Sequence, residues 1–394
     1  MIASVPEPSC LLIADISGYT RYLAGVELDH AKDILADLMA TVVTSLRPTF
    51  RLAKLEGDAA FTIAPAAKVD GSLLLDTIEG CYFGFRRRRR DVRQATSCEC
   101  NACLRIPDLN LKFVVHVGSV ARQRMMGLEE LVGADVIVVH RLLKNTIVES
   151  TGVAAYAFLS GACVAAAGIQ PAALGMTRHD ETYEHVGEVE GWVHDLERRW
   201  LEDDARARVL VGSTEAIQDV EMPTTAPPQV VWEFLTTPGR RVAWSTGTGV
   251  TAVIVDAPGN RRGVGATNHC MHGKDAIVEE ILDWRPFDYL TVRSTMGTPV
   301  GPLRFLTTFE LEPTPDGTLI HMRFGAPTAK KDREILAHVL PTFEGAFAAN
   351  AEALRTQLAA ELAARAADAS PEPELPAPRA DAPFAGIQPL QIVA

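Results

Sequence analysis

Apolar positions in the first part of the chain alternate between strand-like and helix-like spacing. Residues 11–16, LLIADI, form a short continuous apolar run that predicts a buried strand. Apolar side chains then recur every three or four positions over residues 29–46, which predicts a helix that Pro48 ends. Two short strands are expected around the turn at residues 56–58, and a second helix over residues 71–94.

The same alternation continues to about residue 200. A strongly β-forming stretch covers residues 111–117, and a helix is expected over residues 136–144. Residues 153–163 and 183–196 have the composition of closing strands. The resulting β-α-β-β-α-β-α-β order predicts a ferredoxin-like α/β sandwich over residues 8–200.

The second part of the chain has a different pattern. A short helix is expected at VVWEFLTT after Pro227 and Pro228, and a long one over residues 328–365, whereas MPTTAPP has the composition of a linker. Strand candidates broken by Gly, Pro, Asp or Asn cover residues 248–255, 274–284, 287–295, 303–312 and 317–324. This arrangement predicts an α+β domain over residues 216–362 and a Pro/Ala-rich disordered tail over residues 363–394.

Charge and composition narrow the function classes. The net charge of −12 argues against nucleic acid as the main partner, because phosphate binding needs a basic surface. Apolar runs without charges stay shorter than the roughly 18 residues that a membrane span needs. The N-terminus lacks the basic and apolar regions of a secretory signal, and the odd count of 7 cysteines suits a reducing cytosol. We therefore expect a cytoplasmic protein.

Two carboxylates are candidates for a metal site. Asp15 leaves the first predicted strand before a glycine-containing loop, and Asp58 lies at the tip of the predicted hairpin. Carboxylates from adjacent strands can hold two divalent ions, which suits attack of an oxygen on phosphorus. Taken singly, an aspartate at a strand end, such as Asp15, is more often a helix cap or a solvated carboxylate, and a Gly-Asp pair, such as that at Asp58, is more often an ordinary turn.

Three segments together resemble the class III adenylyl and guanylyl cyclases. They are ADISGYT at residues 14–20, KLEGD at residues 54–58 and VHVG at residues 115–118, in the order and separation of that family. The resemblance implies that Asp15 and Asp58 bind two Mg or Mn ions. It also implies that Lys54 reads adenine.

A fourth segment, residues 130–141, resembles the remaining family motif in part. The resemblance implies that Glu130 is the second adenine-reading residue and that Arg141 stabilises phosphate charge. Ile137, however, occupies the position of the asparagine that orients the ribose, and its side chain has no hydrogen-bonding group. Loss of one such donor commonly costs about 10²–10³ in rate.

The resemblance implies a homodimer, with the aspartates supplied by one chain and Arg141 by the other. The reaction it implies is conversion of ATP, or a related nucleotide, to the cyclic monophosphate. The alternative is a catalytically degenerate domain that binds a nucleotide or only dimerises, coupled to a sensor of a lipid-like ligand. The stretch TSCECNACLRIPDLNLKFVVHVG is similar to a bacterial cyclase-like group, DUF2652, whose function is uncharacterised.

Three cysteines lie within six residues: Cys98, Cys100 and Cys103. Soft ligands this close suit zinc, with a histidine or a water as the fourth ligand. An iron–sulfur cluster and a loop of reduced cysteines without metal are the alternatives. In a third hypothesis for the whole protein, this cluster is a structural metal site that fixes a protein–protein surface.

The opening helix of the second domain, residues 227–235, resembles that of START-like or polyketide-cyclase-like (SRPBCC) domains. The resemblance implies a helix-grip fold in which the sheet wraps the last helix around an apolar cavity. An apolar small molecule is therefore the expected ligand. The sequence identifies no catalytic residue in this domain.

Overall fold

The computed structural model describes residues 5–26, 28–95, 100–125, 128–298 and 301–367. The chain forms two compact units, the first ending at Arg206 and the second beginning at Ala207. Both units mix helices and strands, which confirms the predicted α+β class. Within the described ranges, no helix combines the length and the apolar character that crossing a membrane would require.

The first unit consists of one large sheet with helices on both faces. Its strands are β1 (Glu7–Ser17), β2 (Arg51–Glu56), β3 (Ala59–Pro65), β4 (Asn110–Met125), β5 (Leu128–Val132), β6 (Tyr156–Ser160), β7 (Thr177–Arg178), β8 (Glu181–Tyr183), β9 (Gly187–Val189) and β10 (Gly191–Asp195). Its helices are α1 (Tyr19–Leu23), α2 (Leu28–Leu46), α3 (Gly71–Ala95), α4 (Asn101–Leu104), α5 (Ala134–Leu142), α6 (Ile147–Thr151), α7 (Gly161–Ala167) and α8 (Leu196–Ala205).

Strand β1 lies inside this sheet and is buried on both faces. The order is β2-β3-β1-β4-β6-β10-β7, with β5 paired to the far part of β4, while β8 and β9 form a separate hairpin. Leu12 and Ala14 point into a core shared with α2 and α3, whereas Leu11 and Ile13 point into a core shared with α5. Burial on both faces explains why this segment is continuously apolar rather than alternating.

The five-arginine run at residues 86–90 lies in α3 and is distributed around the helix. Arg88 is buried and binds Asp37 of α2 through two hydrogen bonds of 2.7 Å. Arg86 pairs with Glu197 at 2.7 Å, whereas Arg90 pairs with its neighbour Asp91 and is mostly exposed. The run therefore holds α3 against α2 and α8 instead of presenting one basic surface.

The second unit is one antiparallel sheet with four helices. Its strands are β11 (Ala216–Thr224), β12 (Ala252–Asp256), β13 (Thr267–His272), β14 (Asp275–Arg285), β15 (Tyr289–Thr298), β16 (Gly301–Thr314) and β17 (Gly317–Gly325), in the order β11-β17-β16-β15-β14-β13-β12. Its helices are α9 (Pro228–Thr236), α10 (Pro238–Trp244), α11 (Lys330–Val339) and α12 (Glu344–Ala367).

Two features of this unit differ from the sequence-based expectation. The single long helix expected over residues 328–365 is two helices, α11 and α12, joined by a 3-10 turn at Leu340–Phe343. Pro341 lies in that turn, and proline cannot continue an α-helix because it has no N–H. Strand β11, whose end overlaps the expected linker, is an edge strand, where Pro223 is tolerated.

Helix α12 continues to Ala367, five residues into the expected tail. Arg365 fixes this last turn, because it pairs with Glu233 of α9 at 2.7 Å and with Glu361 at 2.8 Å. The rest of the expected tail, residues 368–394, lies outside the described residues.

The buried pair in α3 generates a stability prediction. Arg88→Ala leaves the Asp37 carboxylate buried without its partner, and we expect a loss of about 3–5 kcal/mol. The measurement is hydrogen–deuterium exchange of peptides from α2 and α3. The matched control is Arg90→Ala, for which a loss below about 1 kcal/mol is expected because its pair is exposed. Equal effects of the two substitutions would contradict this role of Arg88.

Candidate functional site

The structure brings the two candidate metal aspartates together at one end of the sheet. Asp15 is near the end of β1, opposite Ala59 of β3 and Lys112 of β4. Asp58 lies in the β2–β3 turn, where Gly57 has a φ of 68°. The Asp58 carbonyl accepts a hydrogen bond of 3.0 Å from the N–H of Ile16. The turn is therefore fixed beside the residue that follows Asp15.

Burial is the main influence on the pKa values of this pair of carboxyls. Burial raises the pKa of Asp15 above 3.8, and the nearby charge of Asp58 raises it further. Burial likewise raises the pKa of Asp58. Lys112 opposes both shifts, and its Nζ lies 3.6 Å from Oδ1 of Asp15. Carboxylate oxygens in such a setting fit a hard divalent cation such as Mg²⁺ or Mn²⁺.

Sequence reasoning did not single out Lys112. Its signal is the antiparallel register of β1 and β4, which pairs it directly with Asp15. That register depends on strand pairing across about a hundred residues of chain and is not a local pattern. Lys112 only partly offsets the negative charge of the pair, since the pKa of Asp15 stays raised despite the contact.

The two residues expected to read adenine also meet. Nζ of Lys54 in β2 lies 3.5 Å from Oε1 of Glu130 in β5, and both side chains are partly exposed. Beside them, Arg51 pairs with Glu129 at 2.7 Å, which joins the same two strands. The ammonium and the carboxylate face each other and remain accessible.

Helix α5 carries Arg141 and Ile137 on its exposed side. They are four residues apart and share one face of the helix. Within the described ranges, the Arg141 side chain makes no hydrogen bond or ion pair, and Ile137 is 57% exposed. The arginine is thus available to a group outside its own chain.

Two contacts fix the position of α5. Nε2 of His140 lies 3.0 Å from Oε2 of Glu56, two residues before Asp58, and the imidazole packs edge-on against Phe61 of β3. At the helix start, Asp135 accepts a hydrogen bond of 2.7 Å from the N–H of Ser119 and contacts His116 at 3.1 Å. Sequence reasoning missed His140, because its partner lies 84 residues away.

The glycine of the VHVG segment is explained by a close approach. A Cβ on Gly118 would come within 2.1 Å of the Asp135 side chain. Only glycine leaves room for Asp135 to reach Ser119 and His116. This segment therefore fixes the start of α5 against β4.

The cysteine cluster gains a histidine from α2. Cys100 precedes α4 and Cys103 lies within it, and Nδ1 of His30 lies 3.3 Å and 3.7 Å from their respective Sγ atoms. These ligand atoms all lie within 4.8 Å of one another. Cys98, the third cysteine expected at this site, lies outside the described residues. His30 is 70 residues from Cys100, and no local pattern pointed to it.

The second unit has a partly open cavity of about 130 Å³ between the sheet and its last two helices. Apolar side chains such as Phe305, Leu336 and Phe347 dominate its lining. At one place Arg241 and Glu279 form a buried pair with two contacts of 2.7 Å. Burial, together with the charge of Glu279, raises the pKa of Cys270 to about 12, so this thiol is neutral.

In solved structures, about half of the chain is similar to two nucleotidyl cyclases. For the guanylyl cyclase Cya2, the identity is 17% and the TM-score 0.39, over 49% of this chain and 93% of that one. For the adenylyl cyclase CyaB from P. aeruginosa, the values are 14% and 0.37, over 50% and 97%. Protein MLL2253 from Mesorhizobium loti is 22% identical with a TM-score of 0.28, over 35% and 95%.

A curated relative is an uncharacterized protein of Mycobacterium tuberculosis, Rv2561/Rv2562. It is 40% identical over 113 residues, which cover 29% of this chain and 52% of the relative. The match thus spans about half of that relative's length.

Two families match separate parts of the chain, and both resemblances predicted from the sequence are confirmed. Residues 35–151 match the family described as "Protein of unknown function (DUF2652)". Residues 218–361 match the family described as "Polyketide cyclase / dehydrase and lipid transport", which is of helix-grip type. The chain is thus similar to the DUF2652 family over one segment and to the polyketide cyclase/dehydrase and lipid transport family over another.

Proposed function

We propose that the first unit is an adenylyl cyclase that works as a homodimer and converts ATP to cyclic AMP and pyrophosphate. The observation that carries the proposal is the convergence of Asp15 and Asp58 beside Lys112, with the pKa of both carboxyls raised by burial. Two neighbouring, partly buried carboxylates suit magnesium or manganese ions with a bound triphosphate.

Each remaining residue has a role set by its chemistry. The Lys54 ammonium donates to a ring nitrogen of adenine, and Glu130 accepts from the exocyclic amino group. Asp15 and Asp58 hold the metal ions, which when bound neutralise charge on both the attacking and the leaving oxygen. The ribose 3′-oxygen bonds to the α-phosphorus, the bond from that phosphorus to pyrophosphate breaks, and the hydroxyl proton passes to water.

Arg141 is proposed to act on the nucleotide bound by the other chain. Its side chain is exposed and, among the described residues, has no partner of its own. A guanidinium directed at the triphosphate stabilises the charge that develops as pyrophosphate leaves. Because the aspartates and Arg141 would come from different chains, activity requires the dimer.

Ile137 sets an upper limit on the rate. Its exposed apolar side chain offers no hydrogen bond to the ribose, so the substrate is oriented by fewer contacts. We therefore propose a slow cyclase, weaker by about 10²–10³ than one with an orienting donor.

The first functional prediction is cyclic AMP formation from ATP with Mn²⁺ or Mg²⁺. Asp15→Ala and Asp58→Ala are expected to abolish it, because each removes a metal ligand. Arg141→Ala is expected to lower kcat by about 10²–10³, since charge stabilisation is lost in the transition state. The measurement is chromatographic separation of cyclic AMP, with GTP assayed in parallel.

The matched control is Asp316→Asn, an exposed aspartate in the turn between β16 and β17 of the second unit, which should keep full activity. A mixture of Asp15→Ala and Arg141→Ala chains should regain activity. In a dimer with one chain of each kind, one of the two sites keeps both its aspartates and its arginine. Folded, dimeric protein without product would refute the enzyme and leave nucleotide binding without turnover.

The raised carboxyl pKa values give a pH-dependence prediction. Without metal, the folded state binds more protons than the unfolded state from pH 3.8 up to the raised pKa, so these carboxyls lower stability as pH rises through that window. Above the raised pKa, bound Mn²⁺ increases the free energy of unfolding by about 2.7 kcal/mol when its free concentration is about 100-fold over Kd. Protons displace the metal as pH falls.

Differential scanning calorimetry with and without Mn²⁺ checks this at several pH values. The Mn²⁺-induced rise in Tm should shrink as pH falls and should be absent in Asp15→Asn, while Asp316→Asn retains it. A rise that is independent of pH, or unchanged in Asp15→Asn, would place the metal elsewhere.

The cavity in the second unit favours an additional function. We propose that it binds an apolar small molecule and that the protein couples this binding to the first unit. Its volume of about 130 Å³ is close to that of an engineered apolar cavity, about 150 Å³, which binds benzene. A single-ring ligand therefore fits without rearrangement. Cytoplasmic localisation stays a prediction.

Toluene tests this cavity directly. It should raise the Tm of the second unit, and Ser294→Phe should remove the rise, because Ser294 is buried on β15 and lines the cavity. Arg293→Phe is the matched control, because Arg293 is the exposed neighbour of Ser294 and its replacement adds the same ring outside the cavity. Toluene binding that survives Ser294→Phe would show that this cavity is not the site.

A further inference from the structure

We propose that His30, Cys100 and Cys103 form a structural zinc site in the first unit. This site is separate from the Asp15–Asp58 pair and does not depend on the cyclase function. It would join the beginning of α2 to α4, two elements about seventy residues apart in the chain. Its chemistry also differs from that of the carboxylate site, because thiolates and imidazole are soft ligands.

The distances match those of zinc ligands. Zinc–sulfur bonds are about 2.3 Å and zinc–nitrogen bonds about 2.0–2.1 Å, so tetrahedral ligands place sulfur and nitrogen about 3.5–3.6 Å apart. Nδ1 of His30 lies 3.3 Å from Sγ of Cys100 and 3.7 Å from Sγ of Cys103. One ion fits between the three atoms with small shifts. The fourth position of the tetrahedron is left for a water or another ligand.

The surroundings are those of a structural site. Cys103 is completely buried, and Cys100 and His30 are half-buried, so the ion would be largely shielded from water. Sulfur and nitrogen ligands shielded from water are typical of zinc that stabilises a fold. Magnesium and manganese, which prefer oxygen ligands, do not suit these side chains.

The site also supports the segment that follows Asp15. Tyr22 of α1 is buried and donates a hydrogen bond of 2.9 Å to the carbonyl of Ala102, between the two cysteines. Gly18 lies against the backbone just after α4, where a Cβ would meet the Asp108 carbonyl at 2.9 Å. Zinc would therefore fix the position of α4 and the following backbone, against which residues 18–23 pack.

Metal analysis of the full chain, purified without an affinity tag, tests the proposal. We expect about one zinc per chain by inductively coupled plasma mass spectrometry, retained on dialysis without chelator. His30→Ala and Cys103→Ser should lose it. Cobalt exchanged into the wild type should show thiolate-to-metal charge-transfer absorption, which is absent in Cys103→Ser.

Matched controls are His338→Ala and Cys270→Ser in the second unit, which should keep the zinc. A second measurement needs no variant: chelation of the wild type should lower the Tm of the first unit and increase hydrogen exchange in residues 19–46, and added zinc should reverse both. A wild type that holds no zinc, holds iron instead, or is unchanged by chelation overturns the proposal. None of these results depends on cyclic AMP formation.

Discussion

The antiparallel register of β1 between β3 and β4 is the constraint on which the first unit depends. It buries β1 on both faces, and it opposes Asp15 to Ala59 on one side and to Lys112 on the other. A shift of one residue would turn Leu11 and Ile13 from one core to the other and move Asp15 away from the β2–β3 turn. Core packing and site geometry are therefore specified by the same pairing.

The electrostatic character of the candidate site follows from this placement. Asp15 near the end of β1 and Asp58 in the β2–β3 turn are partly withdrawn from water, and their pKa values stay raised although Lys112 lies beside them. The cysteine–histidine cluster, by contrast, offers sulfur and nitrogen. The first unit thus contains two candidate ligand sets of different hardness, and each would favour a different class of metal ion.

Local sequence patterns predicted most helices, strands and turns, but they did not predict the residues that meet only through tertiary contacts. The elements that carry Asp15 and Asp58 follow from periodicity and turn residues, whereas strand β5, which carries Glu130, does not. The roles of all three residues are implied by the resemblance to class III cyclases. Lys112, His30 and His140 were not found, because each meets its partner only through distant strand or helix pairing. The break between α11 and α12 was readable from Pro341, but the periodicity of the flanking residues concealed it.

The Lys54–Glu130 contact has a consequence for selectivity. At 3.5 Å and partly exposed, this pair contributes little to stability, on the order of 0–1 kcal/mol. In the proposed cyclase, an incoming base would therefore separate the two side chains at small cost and bind to both. A base that presents an acceptor to the Lys54 ammonium and a donor to the Glu130 carboxylate satisfies both side chains. A base with the reverse order would place its donor against the ammonium and its acceptor against the carboxylate. In the proposed cyclase, Lys54 and Glu130 would pair with each other before a base binds, and selectivity would arise when the base replaces each as the other's partner.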